Sequence, residues 1–201
     1  MKVGILGGSF DPIHKGHVHM ALAAKKFLAL DAVWLIPAGH SPNKEEQKMT
    51  PAENRYEMCR LAVSDLAGIS VSRIEIDSAE RSYTYRTLQK LTVQNPQHEF
   101  FFIMGADSLD YFEKWVHPEI ISRLAHILVI NRDAFTETDL NQKIAQLNAR
   151  FSADITLIPC EKYPVSSSML RARIAEGEPK PPELTDNVWE YICSHGLYKL
   201  V

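Results

Sequence analysis

The fold is decided by one stretch, Val3-Gly4-Ile5-Leu6-Gly7-Gly8-Ser9-Phe10-Asp11-Pro12-Ile13-His14-Lys15-Gly16-His17. It opens on an apolar run, Val3 to Leu6, and leads into an amphipathic segment, Val18 to Leu30. That order reads as a strand, a glycine turn and a helix start. A helix N-terminus leaves backbone N–H groups without partners and carries the positive end of the helix dipole, so it favours an anion. Gly7 and Gly8 let the main chain come close to a phosphate. His14 and His17, three residues apart at a helix start, point to the same side. Together these groups describe a place where a phosphate reacts. The plainer readings are a simple turn and structural histidines. A metal pair, with His19 added, lacks any supporting Cys, Asp or Glu on the helix, so no protein metal ligand is assigned. The Gly-x-Gly-x-x-Gly dinucleotide fingerprint is absent.

Working outward, Ala32 to Ile36 reads as a second strand about thirty residues into the chain, which makes a βαβ unit with parallel pairing. A loop from Pro37 to Lys44 follows. Thr50-Pro51-Ala52-Glu53 carries a capping-box pattern for a helix with Tyr56, Cys59, Val63 and Leu66 on one face. Ile69 to Ile76 alternates as a third strand. A helix over about Tyr85 to Val93 ends at Asn95-Pro96. Phe100 to Met104 is apolar throughout, as in the middle of a parallel sheet. Two short helical pieces flank Trp115. Ile127 to Ile130 and Ile155 to Ile158 are further strands, separated by a polar helix over about Thr138 to Ala149. Ser166 has the character of an N-cap for a helix from Met169 to Ala175. A last helix spans Asn187 to Ser194. In an open sheet of this kind ligands sit beyond the carboxyl ends of the strands, and Gly7, Lys44, Asp107, Arg132 and Ser166 all fall there.

The totals set bounds. The chain has 201 residues, 45% hydrophobic and 23% charged, with a formal net charge of −3. That suits one domain over residues 1–201 and gives no bulk attraction to nucleic acid or to an anionic membrane. Cys59, Cys160 and Cys193 are far apart and odd in number, which predicts reduced thiols in a cytoplasmic protein. No signal peptide and no membrane-spanning run is read.

Gly7-Gly8-Ser9-Phe10-Asp11-Pro12-x-His14-x-Gly16-His17 resembles the signature of the His-x-Gly-His nucleotidyltransferase superfamily. Gly105-Ala106-Asp107-Ser108-Leu109 resembles the superfamily's Gly-x-Asp-x-Leu, and Ser166-Ser167-Ser168-Met169-Leu170-Arg171 resembles its Ile-Ser-Ser-Thr-x-Ile-Arg. Ser82-Tyr83-Thr84 and Trp115 are similar to the bacterial nicotinate-nucleotide adenylyltransferase family. The resemblance runs from Val3 to Tyr198. It implies an α/β fold: a Rossmann-like open parallel sheet with helices on both faces and a small C-terminal helical part from about residue 166.

It also implies roles. The substrates would be ATP and nicotinate mononucleotide, with Mg²⁺ accompanying the ATP. His14, His17, Lys44 and Arg171 would act on the transferring phosphates by charge and hydrogen bonding, without a covalent intermediate. Gly7, Gly8, Ser9, Phe10, Gly105, Asp107, Ser166 and Ser167 would complete the ATP site, with Asp107 on a ribose hydroxyl. An N-cap is the competing role for Asp107. Ser9, Phe10, Lys44, Thr84, Trp115 and Arg132 would receive the mononucleotide, its ring stacked on the indole. Asn43 stands where the family has histidine, and Arg86 where it often has aspartate. Open alternatives are a sister transferase using nicotinamide mononucleotide or phosphopantetheine, and a nucleotide-binding sensor without turnover. Homo-oligomerisation is left open.

Overall fold

The computed structural model of the chain describes residues 1–41, 49–131, 136–161 and 163–199. Six parallel strands form one sheet in the order β3-β2-β1-β4-β5-β6. These are β1 (Lys2–Gly8), β2 (Ala32–Pro37), β3 (Ile69–Val71), β4 (Glu99–Gly105), β5 (His126–Ile130) and β6 (Ile155–Ile158). The helices are α1 (Lys15–Phe27), α2 (Ala52–Ala62), α3 (Thr84–Gln94), α4 (Ala106–Asp110), α5 (Pro118–Leu124), α6 (Glu137–Phe151), α7 (Ser167–Ala175) and α8 (Asp186–Ser194), with a 3₁₀ turn at Phe112–Lys114. The winding reverses at β1, whose neighbours are β2 and β4, so a crevice opens beyond the carboxyl ends of β1 and β4. This is the Rossmann-like sheet that the βα alternation predicts.

Strand alternation builds two cores. Phe100, Phe102 and Met104 point to one face, where they join Leu88, Ile121 and Ile144 of α3, α5 and α6. Phe101 and Ile103 point to the other, among Ala21, Met58, Leu170 and Ile192 of α1, α2, α7 and α8. The C-terminal helices therefore cover the same sheet face as α1 and α2. Among the described residues no helix is long and apolar enough to cross a membrane.

Several local expectations are corrected. Gly7 and Gly8 are not a turn but the last residues of β1, paired with Ile36 and Pro37. The turn falls later, with Phe10 at φ 49°. The amphipathic pattern predicts Val18, Ala21, Leu22 and Leu28 as the inward face of α1, but the buried residues are Gly16, Met20, Ala21 and Ala24 and Leu22 is exposed, small residues letting the helix lie close to the sheet. The capping box at Thr50 does not form: α2 starts at Ala52, and Glu53 pairs with Arg73 instead. Along that helix the stripe facing inward is Arg55, Met58 and Cys59. β3 ends at Val71, because the chain turns back through Asp77 N–H to Arg73 O, 2.9 Å.

Candidate active site

The loop after β1 is fixed by buried polar groups. Asp11 is 2% exposed and Arg55 is 1% exposed. Arg55 donates to the carbonyls of Thr50 (2.9 Å), Ser9 (2.7 Å) and Ala38 (2.5 Å). One guanidinium thus joins the loops after β1 and β2. Burial lowers its pKa, and the nearby Asp11 charge works the other way. Asp11 Oδ1 accepts from the Tyr198 hydroxyl at 2.7 Å, and its main-chain carbonyl accepts from Arg171 at 2.7 Å. Burial, then the Asp11 charge, raises the Tyr198 pKa, so the phenol stays a donor. Sequence reasoning missed Arg55 and Tyr198. The usable signal for Arg55 was a charge on the apolar stripe that holds Met58 and Cys59.

The two imidazoles stack with ring centroids 3.7 Å apart and planes 24° from parallel. His14 is the N-cap of α1, and His17 lies in its first turn. The His14 main-chain N–H donates to His17 Nδ1 at 3.3 Å. A neutral His17 therefore carries its proton on Nε2 and can donate from there. The Lys15 N–H is already given to Glu183 O at 2.9 Å, so the start of α1 offers fewer spare amides than the sequence suggests. Gly16 is small for a packing reason: a Cβ there would meet Val165 Cγ1 at 2.8 Å and His14 Nδ1 at 3.0 Å. That contact draws the entry of α7 against the histidines.

Helix α7 meets the motif as expected. Ser166 caps it, accepting from Met169 N–H at 3.2 Å, and Ser167 Oγ donates to Pro12 O at 2.9 Å. The Ser167 hydroxyl proton is therefore spent within the protein. The first N–H groups of the helix lack a preceding turn of carbonyls and keep the character of an anion site. Arg171 reaches the same loop from one turn further on. At β4, Gly105 is the N-cap of α4 and Asp107 lies in the first turn, so the capping role is not the one Asp107 plays. Among the described residues no group of three or more His, Cys, Asp or Glu is placed to hold a metal.

A cavity of about 590 Å³ adjoins this loop and is lined by Gly7, Gly8, Ser9, Thr84, Phe102 and Trp115, among others. Trp115 meets Phe102 edge-on at 6.0 Å. Phe10 is buried behind the cavity wall: its ring lies against Gly8, where a Cβ would meet it at 3.1 Å, and meets the His17 ring at 4.9 Å. Phe10 therefore acts as a wedge, and only its main chain can face a ligand. Glu75, also in the wall, was not expected from the sequence, whereas Ser82 belongs to the Ser82-Tyr83-Thr84 segment that the resemblance singled out. The Gly39 N–H donates to Ser82 Oγ at 3.0 Å, and Thr87 Oγ1 donates to Glu75 at 2.6 Å. Burial raises the Glu75 pKa. The structure thus brings together Gly7, Gly8 and Ser9 with Thr84 and Trp115, and separately Arg171, Ser166 and Ser167 with the motif loop. Lys44 and Arg132 lie outside the described residues.

Residues 5–173 match the family model described as cytidylyltransferase-like. The chain is 40% identical over 197 residues, 98% of each chain, to a probable nicotinate-nucleotide adenylyltransferase of Lachnoclostridium phytofermentans. It is 37% identical over 198 residues, again 98% of each, to one of Clostridium botulinum. In fold it is similar to the Plasmodium falciparum nicotinic acid mononucleotide adenylyltransferase complexed with NaAD, with a TM-score of 0.81, 20% identity, and coverage of 98% of this chain and 97% of that one. With the motif loop, the α7 cap and full-length likeness in agreement, the chain belongs to the cytidylyltransferase-like family and, within it, to the nicotinate-nucleotide adenylyltransferases.

Proposed function

We propose that the protein transfers the adenylyl group of ATP to nicotinate mononucleotide, giving nicotinate adenine dinucleotide and pyrophosphate. The observation that carries this reading is the cavity whose wall runs from Ser9 of the motif to Thr84 and Trp115. It has a phosphate end and an aromatic end, which is the shape of the acceptor. A 5′-phosphate oxygen attacks the α-phosphorus in line. The new P–O bond forms as the bond to the bridging oxygen breaks, and that electron pair leaves with pyrophosphate.

No side chain need bond to phosphorus, so catalysis is positioning and charge. His17, donating from Nε2, and His14 stabilise charge on the phosphate oxygens. Arg171 and the α7 N-terminus, with Ser166 and Ser167, receive the leaving pyrophosphate. The Gly7–Phe10 main chain borders both substrates, and Gly105 and Asp107 serve the nucleoside, Asp107 at a ribose hydroxyl. Lys44 and Arg132 add positive charge toward the phosphates, as the resemblance implies. Thr84 and Trp115 receive the pyridine ring. Mg²⁺ accompanying ATP would supply charge neutralisation at the phosphates, with no protein side chain assigned as its ligand among the described residues. A cytoplasmic setting fits the three free thiols, Cys59, Cys160 and Cys193.

The test follows pyrophosphate release from ATP and Mg²⁺ with nicotinate mononucleotide or nicotinamide mononucleotide. Fast release with the acid is expected. Release with neither, while ATP still binds, would return the protein to the sensor reading.

A further inference from the structure

Among the described residues, the cavity proposed for the acceptor has two charged side chains in its wall, Glu75 and Lys114. They are placed differently. Glu75 is tied inward by Thr87, and burial favours its neutral form. Lys114 is exposed, and among the described residues its ammonium group makes no hydrogen bond or ion pair. The neighbouring carboxylate does not hold it, because Glu113 is taken by Lys143 and Arg150. The main chain at Lys114 is nevertheless well fixed. It ends a 3₁₀ turn anchored by Phe112, which is 0% exposed, and the Trp115 N–H closes onto Phe112 O at 3.0 Å. A cation on a fixed base thus stands beside the indole with its charge unspent.

Which end of the acceptor it meets follows from the reaction proposed above, on which this inference rests. The attacking phosphate must reach the Ser9 and histidine end of the site. The ring then falls at the end bounded by Tyr111, Trp115 and Val116, where Lys114 also lies. We propose that Lys114 is a specificity-determining residue: its ammonium pairs with the ring carboxylate of the acceptor and favours the acid over the amide. Main-chain donors can serve a carboxylate and a carboxamide oxygen alike, whereas a full positive charge distinguishes them.

The test compares wild type, Lys114→Gln and Lys114→Arg by pyrophosphate release, measuring kcat/KM for nicotinate mononucleotide and nicotinamide mononucleotide at low and high salt. The glutamine variant keeps most of the stem and loses the charge. Its acid-to-amide ratio of kcat/KM is expected to fall about 3- to 10-fold, carried by the KM of the acid, the size being modest because the pair is exposed. Lys114→Arg should restore the ratio, and high salt should lower the wild-type ratio toward that of the glutamine variant. A parallel fall for both acceptors would overturn the proposal, because it would place the ammonium on the shared phosphate or give it a structural role. So would an unchanged ratio. Wild-type protein inactive with both mononucleotides would instead overturn the reaction itself, and that outcome is visible before any variant is made.

Discussion

The loop from Ser9 to His14 is held by buried polar side chains, while the segment from Tyr111 to Val116 has a fixed main chain but exposes several of its side chains. In the loop, Asp11 and His14 are 2% and 3% exposed, and Arg55, Tyr198, Arg171 and Ser167 all bond to it. In the wall, Tyr111, Lys114 and Val116 are exposed, Trp115 rests on Phe102 and Phe112, and the indole Nε1 has no hydrogen-bond partner among the described residues. The contrast fits the chemistry proposed for the two regions. Charge that develops on a phosphate is stabilised most by donors that do not move. A flat acceptor ring needs shape and a few polar contacts, which a more exposed wall supplies.

Arg55→Met attacks the rigid side most directly. It removes the donor shared by Thr50, Ser9 and Ala38 and leaves buried Asp11 without its nearby cation. A loss of about 3–5 kcal/mol is expected from urea unfolding, read as a lower midpoint at constant slope. A loss under about 1 kcal/mol would place the loop among ordinary surface segments and end the contrast. His17→Ala tests whether rigidity serves turnover. Its kcat should fall about 10²- to 10³-fold with ATP binding little changed. Full turnover in that variant would remove His17 from the mechanism.

The smallest effect concerns Glu75, which lines the same cavity outside the segment from Tyr111 to Val116. Burial, the largest influence, raises its folded pKa from the ordinary glutamate value, and the hydroxyls of Thr87 and Ser82 oppose this. The native state then keeps a proton that the unfolded chain has released. Stability due to this group is present at acid pH and falls as pH rises from the unfolded value through the folded one. Wild type measured against Glu75→Gln should therefore lose stability as pH rises above the ordinary glutamate value and through the raised folded one, by at most about 1.4 kcal/mol per pH unit. The opposite slope would mean a carboxylate held charged at the cavity wall, and would overturn the reading of Glu75 as a buried neutral acid.

Much of this was readable in advance, for local reasons. Ile155–Ile158 and the apolar run at Phe100 to Met104 were found as strands because hydrophobic period and length are local signals. The Ser166 cap was found because its bond closes within three residues. Thr50 shows the limit. Its cap pattern is sound, but its N–H faces Asp11 at 3.4 Å and its carbonyl serves Arg55. A tertiary demand overrode a local preference worth about 1 kcal/mol.

From the residues alone came the parallel βα alternation and the expectation of a phosphate site after the first strand, because these depend on backbone geometry and side-chain type at short range, while the transfer chemistry came from the resemblance of the motif to its family. Packing alone decided that β1 would lie between β2 and β4, that Val165 would press on Gly16, that Arg55 and Tyr198 would converge below the motif, and that Lys114 would line the same cavity as Ser9, Thr84 and Trp115. Those neighbours lie tens to nearly two hundred residues apart in the chain, as with Tyr198 and Asp11 at a separation of 187. No period or spacing carries such a pairing, because it comes from which faces bury together and which polar groups that burial obliges to meet.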